Sequence, residues 1–258
     1  MPRGVSRLDD AQLQRQLFNP LSEPSLAGWY SADNLPSLTF DGSGNVTAMR
    51  DLTGKGRNAS TATGIPYSRN SWVNKNRGVI TPNGTSHYFA IASPITYNST
   101  TGITMLASVR NSGVNSGRTI AATSTVNGSF QTRLNGSPSA VEVLRSQQAS
   151  LVSSASTSLT YIIAGGMGIS GKTTSILNGV STVVSTDPGF SNPLNAIFAS
   201  TDVTELFDSQ FLEMFIFSSA LNQRQLDRFV GRMAWTGDMT SNLAASHPYR
   251  NRPPLIGE

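Results

Sequence analysis

The stretch QFLEMFIF at Gln210–Phe217, together with the residues that follow it, decides the fold of this chain. Its residues are apolar or aromatic apart from a glutamine and a glutamate, which is typical of a buried strand. Leu221–Trp235 then places apolar residues at helical spacing, with Asn222 and Gln225 at the spacing of a capping box. Gly231 inside this helix costs about 1 kcal/mol relative to alanine, so tertiary packing must hold it. We predict a core strand followed by an amphipathic helix. The helix should lie across an end or an edge of the β-sandwich that we expect the remainder of the chain to form.

Upstream of this strand, the apolar residues repeat every two positions, as they do in strands. Gly102–Arg110 has Ile, Met, Ala and Val on one face, and Ser139–Leu144 and Leu159–Ala164 are further short strands. Thr174–Val184 predicts a hairpin, because both residues of its central Asn178-Gly179 pair tolerate the positive φ of a type I′ turn. Three further turn candidates are Asn83-Gly84, Asn127-Gly128 and Asn135-Gly136.

The composition favours an all-β protein and excludes several kinds of site. Only 13% of the 258 residues are charged, while small polar turn residues are abundant. The chain has no cysteine and only two histidines, so thiolate chemistry and multi-histidine metal sites are excluded. The net charge of +4 is dispersed, and no apolar run is long enough to span a membrane. We therefore expect neither a nucleic-acid nor a membrane partner, and we interpret Arg224, Arg228 and Arg232 as a solvated helix face.

Residues 1–25 have a different pattern from the remainder of the chain. Leu13 and Leu17 lie four residues apart on what would be one helical face, and Asn19-Pro20 then interrupts the pattern. We interpret residues 1–25 as a short amphipathic docking arm, with a frayed tail as the equally weighted alternative. The candidate docking residues are Leu8, Leu13, Leu17 and Phe18.

Gly166–Thr173 (GMGISGKT) matches the spacing of a phosphate-binding Walker A loop. That loop requires a helix directly after its Lys-Thr pair, because the amides at the helix N-terminus help to hold the phosphates. Here Asn178-Gly179 follows six residues after Lys172, and the intervening residues are poor helix formers. We therefore interpret this segment as part of a β-hairpin.

Other catalytic and metal-binding patterns are incomplete in this sequence. A glycosidase needs two carboxylates that face one bond, and no two acids here form a pair in strand alternation. His247 precedes a proline and is interpreted as fixing the closing loop by hydrogen bonds rather than as a catalytic base. Asp41–Asn45 and Asp51–Asn58 resemble calcium loops but supply one carboxylate each, so Asx-turns are favoured and bound Ca²⁺ remains an alternative.

Aromatic residues in polar, turn-rich sequence are candidates for contacts with sugar rings. These candidate glycan-binding residues are Tyr67, Trp72, Tyr88 and Tyr97. For each of them, partial burial beneath a loop is an alternative with at least as much weight as ligand contact. We expect Trp29 and Trp235, which have apolar neighbours, to anchor the core.

Four segments carry a resemblance to a known family. The concanavalin A-like, laminin-G-type domains of bacteriophage virion proteins are similar to Leu243–Asn251 (LAASHPYRN), Gly28–Asp33 (GWYSAD), Asp51–Asn58 (DLTGKGRN) and the hairpin of Gly179 within Thr173–Val180 (TTSILNGV). The resemblance extends loosely over Leu26–Pro254 and is generic in its middle part, and Trp235-Thr236-Gly237 departs from the usual Lys-Trp-Gly. It implies a jelly-roll β-sandwich with one C-terminal amphipathic helix at residues 26–258, after the arm at residues 1–25.

The resemblance also implies a function. A non-enzymatic structural protein of the virion is expected, as a tail accessory, fibre or capsid decoration protein that is made in the host cytoplasm. Its partners would be other virion proteins and host surface glycans, and a homo-oligomer is expected. The alternative is a carbohydrate-binding adhesin or receptor-binding protein, followed by a polysaccharide depolymerase. No cofactor other than the Ca²⁺ alternative is expected.

Overall fold

The computed structural model describes residues 17–69, 77–97, 100–110, 118–123, 130–136, 139–145, 148–153, 160–167, 172–185, 193–199 and 206–257. Within these ranges the chain forms seventeen strands and one α-helix, α1 at Gln223–Thr236. The strands are β1 Leu26–Ser31, β2 Leu38–Phe40, β3 Val46–Met49, β4 Ala59–Ile65, β5 Tyr67–Ser68, β6 Val79–Ile80, β7 Phe89–Ile95, β8 Ile103–Arg110, β9 Arg118–Thr123, β10 Phe130–Gly136, β11 Ser139–Arg145, β12 Gln148–Ser153, β13 Thr160–Met167, β14 Lys172–Leu177, β15 Val180–Ser185, β16 Leu194–Ile197 and β17 Gln210–Phe217.

The strands assemble into two antiparallel sheets. The first, which we call the helix sheet, has the order β15-β14-β13-β8-β17-β6-β5, and β1 also pairs with β17. The second sheet has the order β12-β11-β10-β9-β16-β7-β4-β3-β2. This arrangement confirms the all-β sandwich with one C-terminal helix. No helix within the described ranges is long and apolar enough to cross a membrane.

The main core lies between the two sheets. Side chains of β8 alternate, so that Met105, Ala107 and Val109 face this core while Leu106 points to the opposite face of the helix sheet. The second sheet contributes residues such as Phe89 and Ile197. Each large apolar side chain buried in this way contributes roughly 1.5–3 kcal/mol to folding.

A second core lies between the outer face of the helix sheet and α1. Phe229 is fully buried there and makes edge-to-face contacts with Phe215 and Phe217 of β17. The capping box is confirmed, since Asn222 Oδ1 accepts from the amide of Gln225 while Gln225 Oε1 accepts from the amide of Asn222. The helix covers a face of the sheet rather than an end or an edge, because β17 has large apolar residues on both of its sides.

The hairpin predicted at Asn178-Gly179 joins β14 to β15, and both residues have positive φ. The strand β14 begins at Lys172, so a strand follows the Walker-like segment and no phosphate-binding helix does. Asn135-Gly136 is not the centre of a turn as predicted, because both residues end β10 and pair with Ala140 and Ser139 of β11. Asn83-Gly84 lies in a turn, and Asn127-Gly128 lies outside the described residues.

The closing segment fastens the hairpin and the helix together. Tyr249 lies so close to Gly231 that an added Cβ there would be 2.5 Å from the tyrosine Cβ. The ring of His247 lies against Gly179, and its Nδ1 accepts a hydrogen bond from the amide of Tyr249. Trp235 Nε1 donates to the carbonyl of Tyr249. These contacts place His247 in the loop-fastening role predicted for it.

One residue of the proposed arm, Phe18, takes part in the second core, and its neighbour Leu17 is also buried. Leu17 pairs with Leu255 in an isolated antiparallel bridge, and the amide of Phe18 donates to the carbonyl of Pro254. Both side chains are only 2% exposed, and the Phe18 ring meets Phe229 edge to face. Leu17 and Phe18 therefore pack inside this chain instead of projecting from an arm. Leu8 and Leu13 lie outside the described residues, and the docking role of residues 1–25 stays a prediction.

Candidate functional site

A pocket of about 500 Å³ opens between the C-terminal half of α1, the end of β1 and the start of β17. We call it the Trp29 pocket. Its lining is part apolar and part charged, and comprises Trp29, Ser31, Asp33, Asn34, Leu35, Pro36, Leu52, Arg69, Arg77, Leu212, Glu213, Arg232 and Thr236.

Backbone hydrogen bonds from the Asp51–Asn58 loop hold Trp29 in place. The Asp51 carboxylate accepts from the amide of Trp29, and the amide of Leu52 donates to the Trp29 carbonyl. The indole stacks on Phe215 with ring centroids 5.4 Å apart, and its Nε1 donates to Glu213 at 2.9 Å. The tryptophan is therefore fixed before any ligand binds, as expected for an anchor residue that also lines a pocket.

Two groups hold Asp33, which lies two residues after the end of β1. Its Oδ2 lies 2.8 Å from Nη1 of Arg77, and its Oδ1 accepts from the amide of Gly78 at 2.9 Å. The two side chains of the ion pair are 27% and 20% exposed, so the pair is accessible from the pocket. Because both carboxylate oxygens have a donor, the charge of Asp33 is largely compensated within the protein.

Glu213 and Arg232 form the buried floor of the pocket. They are 6% and 8% exposed, respectively. Burial raises the pKa of Glu213, although Arg232 and the hydrogen bond from Trp29 act in the opposite direction. Burial likewise lowers the pKa of Arg232, against the attraction of Glu213. Burial dominates for both groups, so each is less inclined to carry its charge than it would be in water.

Arg232 corrects one prediction from the sequence. It lies on the buried side of α1, where its guanidinium is 5.6 Å from the Trp29 ring and its Nη1 donates to the carbonyl of Phe18. Arg228 is half-buried with its guanidinium 4.0 Å from the Phe18 ring, whereas Arg224 is exposed. Only Arg224 thus matches the predicted solvated face.

Three of the aromatic residues proposed as glycan contacts, Tyr67, Tyr88 and Tyr97, do not line the Trp29 pocket. Tyr97 is 4% exposed in the main core, which leaves no ring face for a sugar and corrects that prediction. Tyr67 and Tyr88 are half-buried against the same core, and Tyr67 also meets Phe40 edge to face. Trp72 lies outside the described residues. The burial alternative therefore describes the first three residues better than sugar contact does.

Asx-turns account for both aspartate loops. Asp41 Oδ1 accepts from the amides of Ser43 and Asn45, and these hydrogen bonds lower the pKa of Asp41. Asp51 accepts from Thr53 and Arg57 in addition to Trp29. Among the described residues, no group of three or more histidine, aspartate or glutamate side chains is placed to hold a metal ion.

The structure brings together residues that are distant in the sequence. Asp33 and Glu213 line one pocket, although the sequence showed no pair of acids in strand alternation. The available signal was the presence of one glutamate in an apolar strand and one arginine on the inner side of an amphipathic helix. Two opposite charges in two buried elements suggest that the elements meet.

No protein-family profile and no curated protein sequence matches the chain. Several solved structures share its fold. A Trypanosoma rangeli sialidase in complex with sialic acid superimposes with a TM-score of 0.53 and 13% identity, over 84% of this chain and 34% of the sialidase. The chain thus spans about a third of the sialidase's length.

Two further similar structures are of single domains. The binding domain of Paraclostridial Mosquitocidal Protein 1 gives a TM-score of 0.56 and 14% identity, over 80% of this chain and 52% of that one. Domain 4 of AbnA, an extracellular arabinanase from Geobacillus stearothermophilus, was solved with arabinotriose. It gives a TM-score of 0.55 and 15% identity, over 78% of this chain and 96% of that domain. At these identities the comparisons establish a shared lectin-like β-sandwich fold, and none of the three names a phage protein.

Proposed function

We propose that this domain binds carbohydrate in the Trp29 pocket. The observation that carries the proposal is the combination, in one cavity of about 500 Å³, of an apolar wall with charged and amide side chains. Small-molecule sites in proteins have this character, with a largely apolar surface and a few fixed polar groups. A sugar ring needs both, because it has an apolar C–H face and a rim of hydroxyl groups.

The pocket is organised before a ligand enters. Trp29 is held at its backbone by the Asp51 loop and at its ring nitrogen by Glu213. Asp33 is held by Arg77 and by the amide of Gly78. A site of this kind avoids much of the entropic cost of ordering side chains on binding, which matters for ligands as weakly bound as sugars.

The structural comparisons support a binding role without establishing one. One similar structure is an arabinanase domain solved with arabinotriose, and another is named as the binding domain of a toxin. Fold similarity at 15% identity or less does not transfer a ligand, so the proposal depends on the pocket itself.

We propose binding rather than hydrolysis, although Asp33 and Glu213 line the same cavity. Asp33 already accepts two hydrogen bonds within the protein, and Glu213 accepts one from Trp29. A glycosidase acid and nucleophile must instead face the scissile bond. Incubation with bacterial polysaccharides should release no reducing sugar, and sustained release that Glu213→Gln abolishes would establish an enzyme.

A glycan array followed by calorimetric titration tests the binding proposal. Trp29→Ala should remove binding, and Asn34→Ala should weaken it, because Asn34 lines the pocket and its side chain makes no capping hydrogen bond. Phe40→Ala is the matched control, since this aromatic is 37% exposed and lies outside the pocket lining. Thermal unfolding of each variant distinguishes lost binding from lost folding. Unchanged sugar binding by folded Trp29→Ala would refute the assignment of the pocket.

The closing segment favours a second role, display on a bacteriophage particle. Leu243–Asn251 carries the resemblance to phage virion domains, and glycan binding would suit a protein that meets the host surface. Mass spectrometry of purified particles tests virion location, and deletion of residues 1–16 tests docking. Particles that incorporate the truncated protein normally would refute the arm's role.

A further inference from the structure

We infer that the Trp29 pocket selects sugars that carry a carboxylate over their neutral counterparts. The inference rests on the proposed function and names the class of ligand for the same site.

The charge of the pocket is unbalanced in favour of cations. Its lining includes three arginines and two carboxylates. Asp33 has both oxygens engaged, by Arg77 and by the amide of Gly78, so it presents little free negative charge to a ligand. Glu213 is buried, and burial raises its pKa, which reduces its share of charge further. Burial also lowers the pKa of Arg232, so the Glu213–Arg232 pair adds little net charge, and the exposed Arg69 leaves the lining of the cavity net positive.

These two arginines have donors to spare. Arg69 is exposed at the rim and makes no hydrogen bond or ion pair with any residue that the structure describes. Arg232 is 8% exposed, and its Nε is buried without an acceptor in the described part of the chain. Arg77 Nε is in the same condition. Buried polar groups are nearly always hydrogen-bonded, so a ligand that offers acceptors to the guanidinium groups of this lining would complete their hydrogen bonding.

A carboxylate is the acceptor that fits this geometry. Guanidinium groups bind carboxylates through two parallel hydrogen bonds, which are shorter and stronger than bonds between neutral groups. The apolar wall of Trp29, Leu35, Pro36 and Leu52 adds a requirement for a ring or chain with C–H surface. A simple inorganic anion would leave this wall uncovered. A sugar acid satisfies both parts of the pocket.

Calorimetric titration with matched saccharides tests the inference. Trigalacturonic acid and its methyl ester have the same ring skeleton and differ in charge, and sialyllactose and lactose provide a second pair from another source of carboxylate. At low ionic strength, we expect the acid of at least one pair to bind about tenfold more tightly than its neutral partner. The preference should decrease at 1 M salt, because screening weakens contacts with exposed charges.

Arg69→Gln should reduce the ratio of the affinity for the acid to the affinity for its neutral partner about fivefold or more. Arg224→Gln is the matched control, since Arg224 is exposed on α1 and does not line the pocket. Arg69 is chosen because replacing an exposed side chain changes stability little. Arg232→Met, with thermal unfolding as a check, provides the second variant.

Each outcome decides the inference. A preference for acid that Arg69→Gln or folded Arg232→Met reduces supports it. Equal affinity for acid and neutral partners, with binding still removed by Trp29→Ala, overturns it and leaves carbohydrate binding intact. A preference that survives in both arginine variants overturns the assignment to this pocket. Failure of all four saccharides to bind overturns the inference, and a glycan array that is negative as well overturns the proposed function too.

Discussion

Gly179→Ala should destabilise the protein by about 2–5 kcal/mol, because two separate costs act at this position. Gly179 has a φ of +88°, and placing a residue with a side chain in the left-handed region costs roughly 1–2 kcal/mol. The added Cβ would also lie 2.5 Å from Cδ2 of His247. The ring or the hairpin must then move, and overpacking of this kind costs about 1–3 kcal/mol.

Gly44→Ala is the matched control for this substitution. Gly44 has a φ of +80°, but no atom lies within 4 Å of the Cβ position, so only the backbone cost applies. Urea denaturation with linear extrapolation gives the free energy of unfolding for both variants. The excess loss in Gly179→Ala measures the contact between the hairpin and the closing segment, and it should disappear in a His247→Ala background.

Equal losses of stability in Gly179→Ala and Gly44→Ala would refute this reasoning. So would an excess loss that persists after His247 is shortened, because the crowding would then come from other atoms. Either result would mean that the closing segment does not rest on the β14–β15 turn.

Three further predictions concern the loops and the buried charges. Asp51→Ala should lower the free energy of unfolding by about 2–4 kcal/mol in urea, because this buried carboxylate accepts hydrogen bonds from Trp29, Thr53 and Arg57; a loss below about 1 kcal/mol would contradict its role. Burial lowers the pKa of His247, so its contribution to stability is complete above its ordinary pKa of 6.5 and is lost as the pH falls through the lower folded-state value. His247→Asn keeps an acceptor for the Tyr249 amide, and its Tm should fall less than that of the wild type between pH 7 and pH 5. Parallel curves of Tm against pH for the two proteins would contradict this. Burial raises the pKa of Glu213 above its ordinary value of 4.5, so the stability that depends on its protonated form is lost as the pH rises from about 4.5 towards neutrality. Over this range the free energy of unfolding of the wild type should fall relative to that of Glu213→Gln. A growing advantage of the wild type would show that the attraction of Arg232 outweighs burial.

Features specified by neighbouring residues could be predicted from the sequence. The turn at Asn178-Gly179 needs only two residues that tolerate positive φ, and the start of α1 needs only the reciprocal hydrogen bonds of Asn222 and Gln225. The strand β17 has the predicted bounds, because a long apolar run has few other solutions. Local chemistry determined these elements, and they occur where they were expected.

The Trp29 pocket could not be predicted, because its parts come from distant segments. Trp29, Arg77, Glu213 and Arg232 meet only after β1 pairs with β17 and α1 packs over both. The register between β17 and β8 also shifts between Phe211 and Glu213, so simple alternation along β17 does not give the correct face for its first residues. A bulge of this kind leaves no clear mark in the sequence.

The burial of Tyr97 was not predicted for a related reason. Tyr97 lies in polar, turn-rich sequence, which suggested exposure, yet it packs in the core between the sheets. Polar neighbours in the sequence indicate the character of the local segment, but they do not indicate which residues of another strand pack against it. The same limit explains Phe18, whose partner Phe229 is more than two hundred positions away.

The pairing of Leu17 with Leu255 makes this domain suitable for circular permutation. The chain enters and leaves the sandwich at adjacent points, so a short linker from residue 255 to residue 17 would close it into a ring without crossing the molecule. New ends could then be opened at an exposed turn such as Asp41–Asn45. Such a circular permutant would keep both sheets and the pocket, and its chain ends would lie at the Asp41–Asn45 turn.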